Sequence, residues 1–299
     1  MVDAVNVDRA DLAMRNWRGA EPGRLVVGSD AHKQLFCRML LETHDPYNPA
    51  DIAWPELAQE DLRRLASLPI WGTAIHKESC ATVRVQTFAQ RVTDPLLRQA
   101  LDLDASEEAR HEAVLTGLAQ AYRIALSPKA AIDAPDDPER AWLLTGLAEC
   151  IDVFFAFGLF EVARRSGFFP SKLVDAFEPV IQEECRHILF FANWLAWYRR
   201  NMRWWRRPLF AIKTWRLWLH LVRERIAIAK GIAAKRPARD VNFTMTGSTS
   251  VGVKLKPREL IGLCLAENDR RMAGYDPRLL RPTTVPRLAR LAQRLLPAA

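Results

Sequence analysis

The sequence predicts an all-α protein built on four long helices paired as two antiparallel hairpins, with a long crossover between them and further helices at both ends. Three observations carry this. Near-identical pentapeptides, Glu107-Glu108-Ala109-Arg110-His111 and Glu183-Glu184-Cys185-Arg186-His187, stand about 76 residues apart inside stretches of helical periodicity. Helix punctuation recurs at hairpin spacing, most clearly at Thr93-Asp94-Pro95 and Ser166-Gly167. Thirteen glycines in 299 residues and few alternating apolar runs argue against a large sheet.

In chain order, a helix is expected from Ser29 or Asp30 to Glu42, then Pro-rich Asp45-Pro46-Tyr47-Asn48-Pro49, then a helix around Pro55 to Ala66. The first hairpin pairs a helix from Ala74 to Arg91 with one opened by Pro95. Glu78 lies about 14 residues before that turn and Glu108 about 13 after it, level to within roughly 1.5 Å. Ser127 to Asp137 is rich in Pro, Ala and Asp and reaches roughly 35–40 Å when extended, enough to run the length of a bundle. The second hairpin pairs Pro138 to Arg165 with a helix starting near Pro170. By height Glu149 is the preferred partner of Glu184. Glu161 competes if Pro170 to Phe177 forms a separate short helix, and Asp152 is a lesser candidate on the Glu149 face.

The spacing within each pentapeptide has a chemical meaning. Residues three apart share one helix face, so Glu108 with His111, and Glu184 with His187, can each hold a cation jointly. Nitrogen and oxygen donors suit iron or manganese better than zinc or copper(I). A pair of ions needs a further carboxylate from each of two more helices. Glu78 and Glu149 are the residues at the right heights. A carboxylate within the apolar run around Glu149 is costly to bury without a partner. Either pentapeptide alone also reads as an exposed face of charge pairs; duplication at matching heights is what favours metal.

Glu78, Glu108-x-x-His111, Glu149 and Glu184-x-x-His187 together resemble the ferritin-like superfamily of di-iron carboxylate proteins, over roughly residues 70–200. The repeated acid-Glu-x-Arg-His is similar to ribonucleotide reductase small subunits and bacterial multicomponent monooxygenases. His187 departs from storage ferritins of the animal type, whereas bacterioferritins and rubrerythrins keep two histidines. The resemblance implies two Fe ions, with Mn as the alternative. It also implies that Glu107 and Glu183 orient the ligand histidines of the opposite helix, with Arg110 and Arg186 balancing their charge. The organisation expected is a helical extension over 1–69, a ferritin-like bundle over 70–200 and a basic helical extension over 201–299.

The function expected is an O2-dependent di-iron oxidase or oxygenase that hydroxylates, desaturates or N-oxygenates an apolar or aromatic small molecule, served by an electron-donating reductase. No residue beyond the metal ligands is required as a catalyst. The alternative is a ferritin- or rubrerythrin-like protein that handles iron or reduces peroxide without an organic substrate. A radical role needs a tyrosine near the metals, and Tyr122 is roughly 16 Å beyond His111 along its helix. Phe154, Phe155, Phe157, Phe160, Phe190 and Phe191 read as core first and as a substrate channel second. His32, His44, His76 and His220 read as structural or surface residues.

Charge divides the chain. From Ala192 onward there are 23 Lys and Arg against 6 Asp and Glu, a net of +17, whereas the remainder carries −9. Trp194, Trp197, Trp204, Trp205, Trp215 and Trp218 alternate with arginines over 194–225, on a long helix broken at Pro208. These tryptophans either pack back on the bundle or lie in an anionic membrane interface. Nucleic acid is disfavoured, since no zinc finger or recognition helix accompanies the basic patch. Val241 to Lys256 reads as a loop or weak hairpin. Pro257 to Met272 reads as a helix whose Glu267–Arg271 is an ion-pair cluster or a second polar site, and Val285 to Leu296 as an amphipathic end. Five scattered cysteines and no apolar leader at Met1–Asn6 give the expectation of a cytoplasmic protein, peripheral at most on the inner face of the membrane.

Overall fold

The computed structural model describes residues 11–20, 22–126, 131–229 and 256–297, and among these every regular element is helical. The helices are α1 (Asp30–Glu42), α2 (Gln59–Ser67), α3 (Trp71–Ala89), α4 (Pro95–Ala121), α5 (Pro138–Ser166), α6 (Ser171–Asp175), α7 (Glu178–Asn201), α8 (Arg206–Ala229), α9 (Pro257–Met272) and α10 (Thr284–Leu295). A 3-10 turn at Pro49–Asp51 follows α1.

Local chemistry sets most boundaries. Ser29, Asp94 and Asp137 cap α1, α4 and α5 by accepting from the backbone N–H three residues on, and Pro95 and Pro138 occupy first-turn positions whose N–H has no helical partner. Gly167 ends α5 in the left-handed region at φ 62°, where a side chain would be strained.

Two expected boundaries are corrected. The helix expected from Pro170 is two pieces, α6 and α7, interrupted at Ala176–Phe177. Pro179 is the reason: its ring blocks the carbonyl four residues back, and it lacks the N–H that a continuous helix would use. The break in the Trp/Arg stretch falls at Met202–Trp205 rather than at Pro208, which sits in the first turn of α8 where proline is tolerated. Four residues of the crossover, 127–130, and nearly all of Val241 to Lys256 lie outside the described residues; 131–137 carries no helix.

Side-chain pairs fix the register. Phe88 stacks on Trp142 at 5.7 Å and Lys77 pairs with Asp152 at 2.6 Å, so α3 and α5 are antiparallel. Trp142 meets Trp194 at 5.6 Å and Tyr198 donates to Glu139, so α5 and α7 are antiparallel too. A Cβ on Gly146 would lie 2.1 Å from the Phe191 ring, and one on Gly158 would lie 2.9 Å from the backbone of Cys264. These two glycines let α7 and α9 approach α5. Phe154, Phe157, Phe190, Phe191 and Trp194 fill the central core. Leu65, Leu68, Trp71, Leu118 and Leu173 form a second, smaller core at one end. The length and apolar composition of α5 would allow it to cross a membrane, yet 72% of its apolar window is buried within the protein.

The flanking helices pack on these four. α1 lies against α7 and α4, and α9 against α5. Glu267–Arg271 is an ion-pair cluster: Arg270 pairs with Glu267, and Arg271 reaches across to Glu178 of α7 at 2.6 and 3.0 Å.

Candidate metal centre

Glu78 of α3, Glu108 and His111 of α4, Glu149 of α5, and Glu184 and His187 of α7 all turn inward, with only Glu184 half-buried. The two imidazoles lie 5.6 Å apart. Both are fixed from behind. His111 Nε2 is 2.9 Å from Glu183 Oε2 and His187 Nε2 is 2.8 Å from Glu107 Oε2, each carboxylate belonging to the facing helix. Arg110 pairs with Glu183, and Arg186 donates to both oxygens of Glu107 at 3.0 and 3.2 Å. Such carboxylates only accept, so each Nε2 carries the proton. Burial opposes ionisation of Glu107, but Arg186 and the neighbouring imidazoles hold it well below the usual carboxylate range.

With Nε2 protonated, each Nδ1 presents a lone pair to the interior. His111 Nδ1 lies 3.4 Å from Glu184 Oε1 and 4.0 Å from Glu78 Oε2, and His187 Nδ1 lies 3.1 Å from Glu108 Oε1. None of these approaches has hydrogen-bond geometry. His111 Nδ1, His187 Nδ1, Glu108 Oε1, Glu184 Oε2 and Asp104 Oδ2 are buried polar atoms without a hydrogen-bond partner. Each such atom costs about 1–3 kcal/mol if it stays unmatched. Lone pairs facing one another require a cation between them, whether protons or a metal ion.

The donor atoms fall into overlapping sets. Glu78, Glu108, His111 and Glu184 offer one atom each, all within 4.8 Å of one another, and Asp104, Glu108 and His187 do the same. Glu108 belongs to both. Glu149 lines the same cavity as Glu78, Glu108 and Glu184, whereas Glu161 pairs with Arg165 on the last turns of α5. Asp152 is held by Lys77 at 2.6 Å and Arg225 at 3.1 Å.

Electrostatics show how strongly the cluster needs positive charge. Burial, and then the charges of Glu108 and Glu184, raise Glu78 and Glu149 well above the usual carboxylate range. Burial likewise pushes Asp104 up to about 7, with His187 pulling the other way. Burial opposes the charged forms of His111 and His187, yet the surrounding carboxylates raise both well above the ordinary histidine value. Glu108, despite burial, is drawn down to about 2 by the imidazoles.

Two residues near the cluster were not singled out from sequence. Asp104 is 1% exposed and stands one turn before Glu108, a spacing that would have flagged it. His44, expected to be an ordinary residue, has its Nδ1 2.6 Å from Glu107 Oε1. Its position on the chain after α1 gives no local signal. His32 bonds Asn193 at 3.0 Å, His76 neighbours Cys80, and His220 is exposed. Cys150 and Cys185, beside Glu149 and Glu184, are free and buried, and burial raises both thiols. Tyr122 donates to the Pro55 carbonyl at 2.7 Å.

A cavity of about 240 Å³ opens onto the cluster. Its walls are mostly apolar, among them Leu68, Trp71, Leu159, Phe160 and Phe177.

The described residues form a helical protein with a buried carboxylate and imidazole cluster able to hold a metal ion. No protein-family model matches the chain, and neither does any curated protein or solved structure.

Proposed function

We propose that α3, α4, α5 and α7 form a ferritin-like bundle around two iron ions, and that the protein is an O2-dependent oxidase or oxygenase acting on an apolar small molecule. The observation that carries this is the pair of imidazoles pinned through Nε2, with unpartnered Nδ1 atoms facing carboxylates across a shared interior. Glu78, Glu108, His111, Glu149, Glu184 and His187 would hold the ions, Glu108 being common to both donor sets, Asp104 lying beside His187, and Glu149, outside both sets, joining from the cavity wall. Manganese meets the same donor chemistry. When bound, the metals would supply dioxygen-dependent oxidation, drawing electrons from a separate reductase. The chain's own contribution is to orient both imidazoles through Glu107 and Glu183, to neutralise those carboxylates with Arg186 and Arg110, and to keep water from an apolar cavity that adjoins the cluster. That cavity favours an organic substrate over iron storage.

The test is metal content. His111→Ala or His187→Ala is expected to lower iron from about two per chain toward one or none, with helicity unchanged. Full occupancy in both variants would overturn the assignment.

A peripheral membrane contact is a separate part of the proposal. Trp204, Trp205 and Trp215 are 75%, 50% and 62% exposed, and Leu209, Ile212, Val222 and Ile226 continue an apolar surface along α8. Arg203, Arg206, Arg216 and Arg223 are exposed among them, and the single acid of α8, Glu224, is paired with Arg225. Apolar and aromatic side chains interleaved with cations fit an anionic bilayer surface, which would place the protein on the inner face of the membrane.

A further inference from the structure

We propose that the cavity takes an elongated amphiphile with one anionic head, the head held by Arg84 and Thr145 and the apolar tail in the second core beyond the carboxylates. The inference rests on the reading of this cavity as a substrate site and names the substrate class.

The cavity has unlike ends. Along α3 its lining runs from Trp71 to Arg84, about 20 Å at 1.5 Å per residue. The carboxylates stand between, at Glu78. Toward Trp71 the walls are those of the smaller core: Leu65, Leu68, Trp71 and Leu173 are all buried. Burial of an alkyl chain there is favourable by about 0.8 kcal/mol per methylene. Toward the other end the lining includes Arg84 and Thr145 beside Ala81 and Ala148. Phe88 against Trp142 and Lys77 against Asp152 set α3 antiparallel to α5, which makes Arg84 and Thr145 level.

Both residues have free hydrogen-bonding capacity. Thr145 is 5% exposed, and its Oγ1 is a buried atom without a partner, where a helical threonine commonly bonds the carbonyl one turn back. Arg84 is partly exposed and, among the described residues, has no acid within ion-pair distance. Lys77, the other cation of the lining, is already paired with Asp152. An arginine offers a planar fork to a carboxylate, and a threonine hydroxyl donates a further bond. Arg84 is partly exposed, so the charged head need not be fully buried. The apolar tail then passes the cluster, whose Glu149 stands one turn from Thr145 on α5 and whose Glu78 stands six residues from Arg84 on α3, roughly 6 and 9 Å along the helices.

The experiment uses the full chain and three ten-carbon probes: decanoate, decanol and decyltrimethylammonium. Binding is read by calorimetry and by tryptophan fluorescence, since Trp71 lines the cavity. Decanoate is expected to bind saturably and at least roughly tenfold more tightly than decanol, with the cationic probe weakest. Arg84→Gln should abolish the preference for the acid while leaving decanol affinity unchanged, and Arg84→Lys should restore part of it. No saturable decanoate binding, equal affinity for acid and alcohol, or a preference that survives Arg84→Gln would each overturn the proposal. Iron content of the same samples separates the two readings. Iron without decanoate selectivity removes the amphiphile alone, and selectivity without iron removes the oxidase alone.

Discussion

His111 and His187 are each gripped on one side only. Glu107 and Glu183 accept hydrogen bonds from the Nε2–H groups, and the Nδ1 atoms are left with oxygen lone pairs in front of them. Without metal, protons must fill that role, which sets a pH dependence. Glu78, Glu149, Asp104, His111 and His187 all have folded-state values raised above the ordinary ones, from 4.5 for the glutamates, 3.8 for Asp104 and 6.5 for the histidines. A raised group contributes stability below its unfolded value and loses that contribution as pH rises through the folded one. Glu108, lowered to about 2, loses its contribution only as pH falls from its ordinary 4.5 toward that value, outside the range that the raised groups span. The chelated protein is therefore expected to melt roughly 5 °C lower at pH 8 than at pH 5. Protein loaded with Mn or Fe should lose this trend, since bound metal displaces the protons. Melting curves across that range in both forms check it, and a chelated protein that gains stability toward pH 8 would contradict the assignment. Of this cluster, the duplicated pentapeptides made Glu107, Glu108, Arg110 and His111, and their counterparts in α7, legible in sequence. Asp104 carried a weaker signal, an acid one turn away. His44 carried none, because its partner Glu107 is 63 residues distant and only tertiary packing joins them.

Among the helices, the starts were the most legible features. Ser29, Asp94-Pro95, Asp137-Pro138 and Pro257 are local signals, and each stands where a helix begins. The height of Glu184 is not legible from the Pro170 signal, because Pro179 opens a second helix beyond it. The short helix α6 does form, the condition under which Glu161 competes by counting, yet the pairs Trp142–Trp194 and Glu139–Tyr198 set the register so that Glu149 lines the cavity. The last turns of α5 overshoot the start of α7, and residues 167–177 double back. Sequence counting from turns cannot see an overshoot of that kind. The Trp/Arg stretch resolves unevenly. Trp194 is wholly buried, Trp197 and Trp218 are half-buried, and Trp204, Trp205 and Trp215 face outward. Packing and surface roles are thus divided along one segment. Flotation with vesicles containing anionic lipid is expected to fall at least several-fold for Trp204→Ala combined with Trp205→Ala, and to weaken with added salt. Intact protein that stays with the soluble fraction would remove the membrane contact.

For the molecule as a whole, the two functional readings differ in assembly. A cage for iron needs many subunits, whereas an oxygenase with α1 and α9 packed along its long helices is expected as a monomer or dimer. Light scattering at micromolar concentration should return a mass of one or two chains, about 34 or 68 kDa from a chain of 34.1 kDa. A hollow multimer of many copies would instead support iron handling. The fold class was legible because helical periodicity and caps are local; the interlock of the flanking helices was not. Arg186 shows what that interlock entails. Its guanidinium, wholly buried, donates not only to Glu107 but to the Leu40 carbonyl and the Thr43 hydroxyl at the end of α1. The stretch before residue 70, which the sequence suggested was an appendage, therefore completes the inner wall behind His187. A fragment trimmed to residues 70–200 would expose that arginine to water and loosen the carboxylate that aims the imidazole. The smallest self-sufficient unit around the duplicated motif is consequently larger than the motif itself, and a graft of it onto another scaffold would need α1 as well.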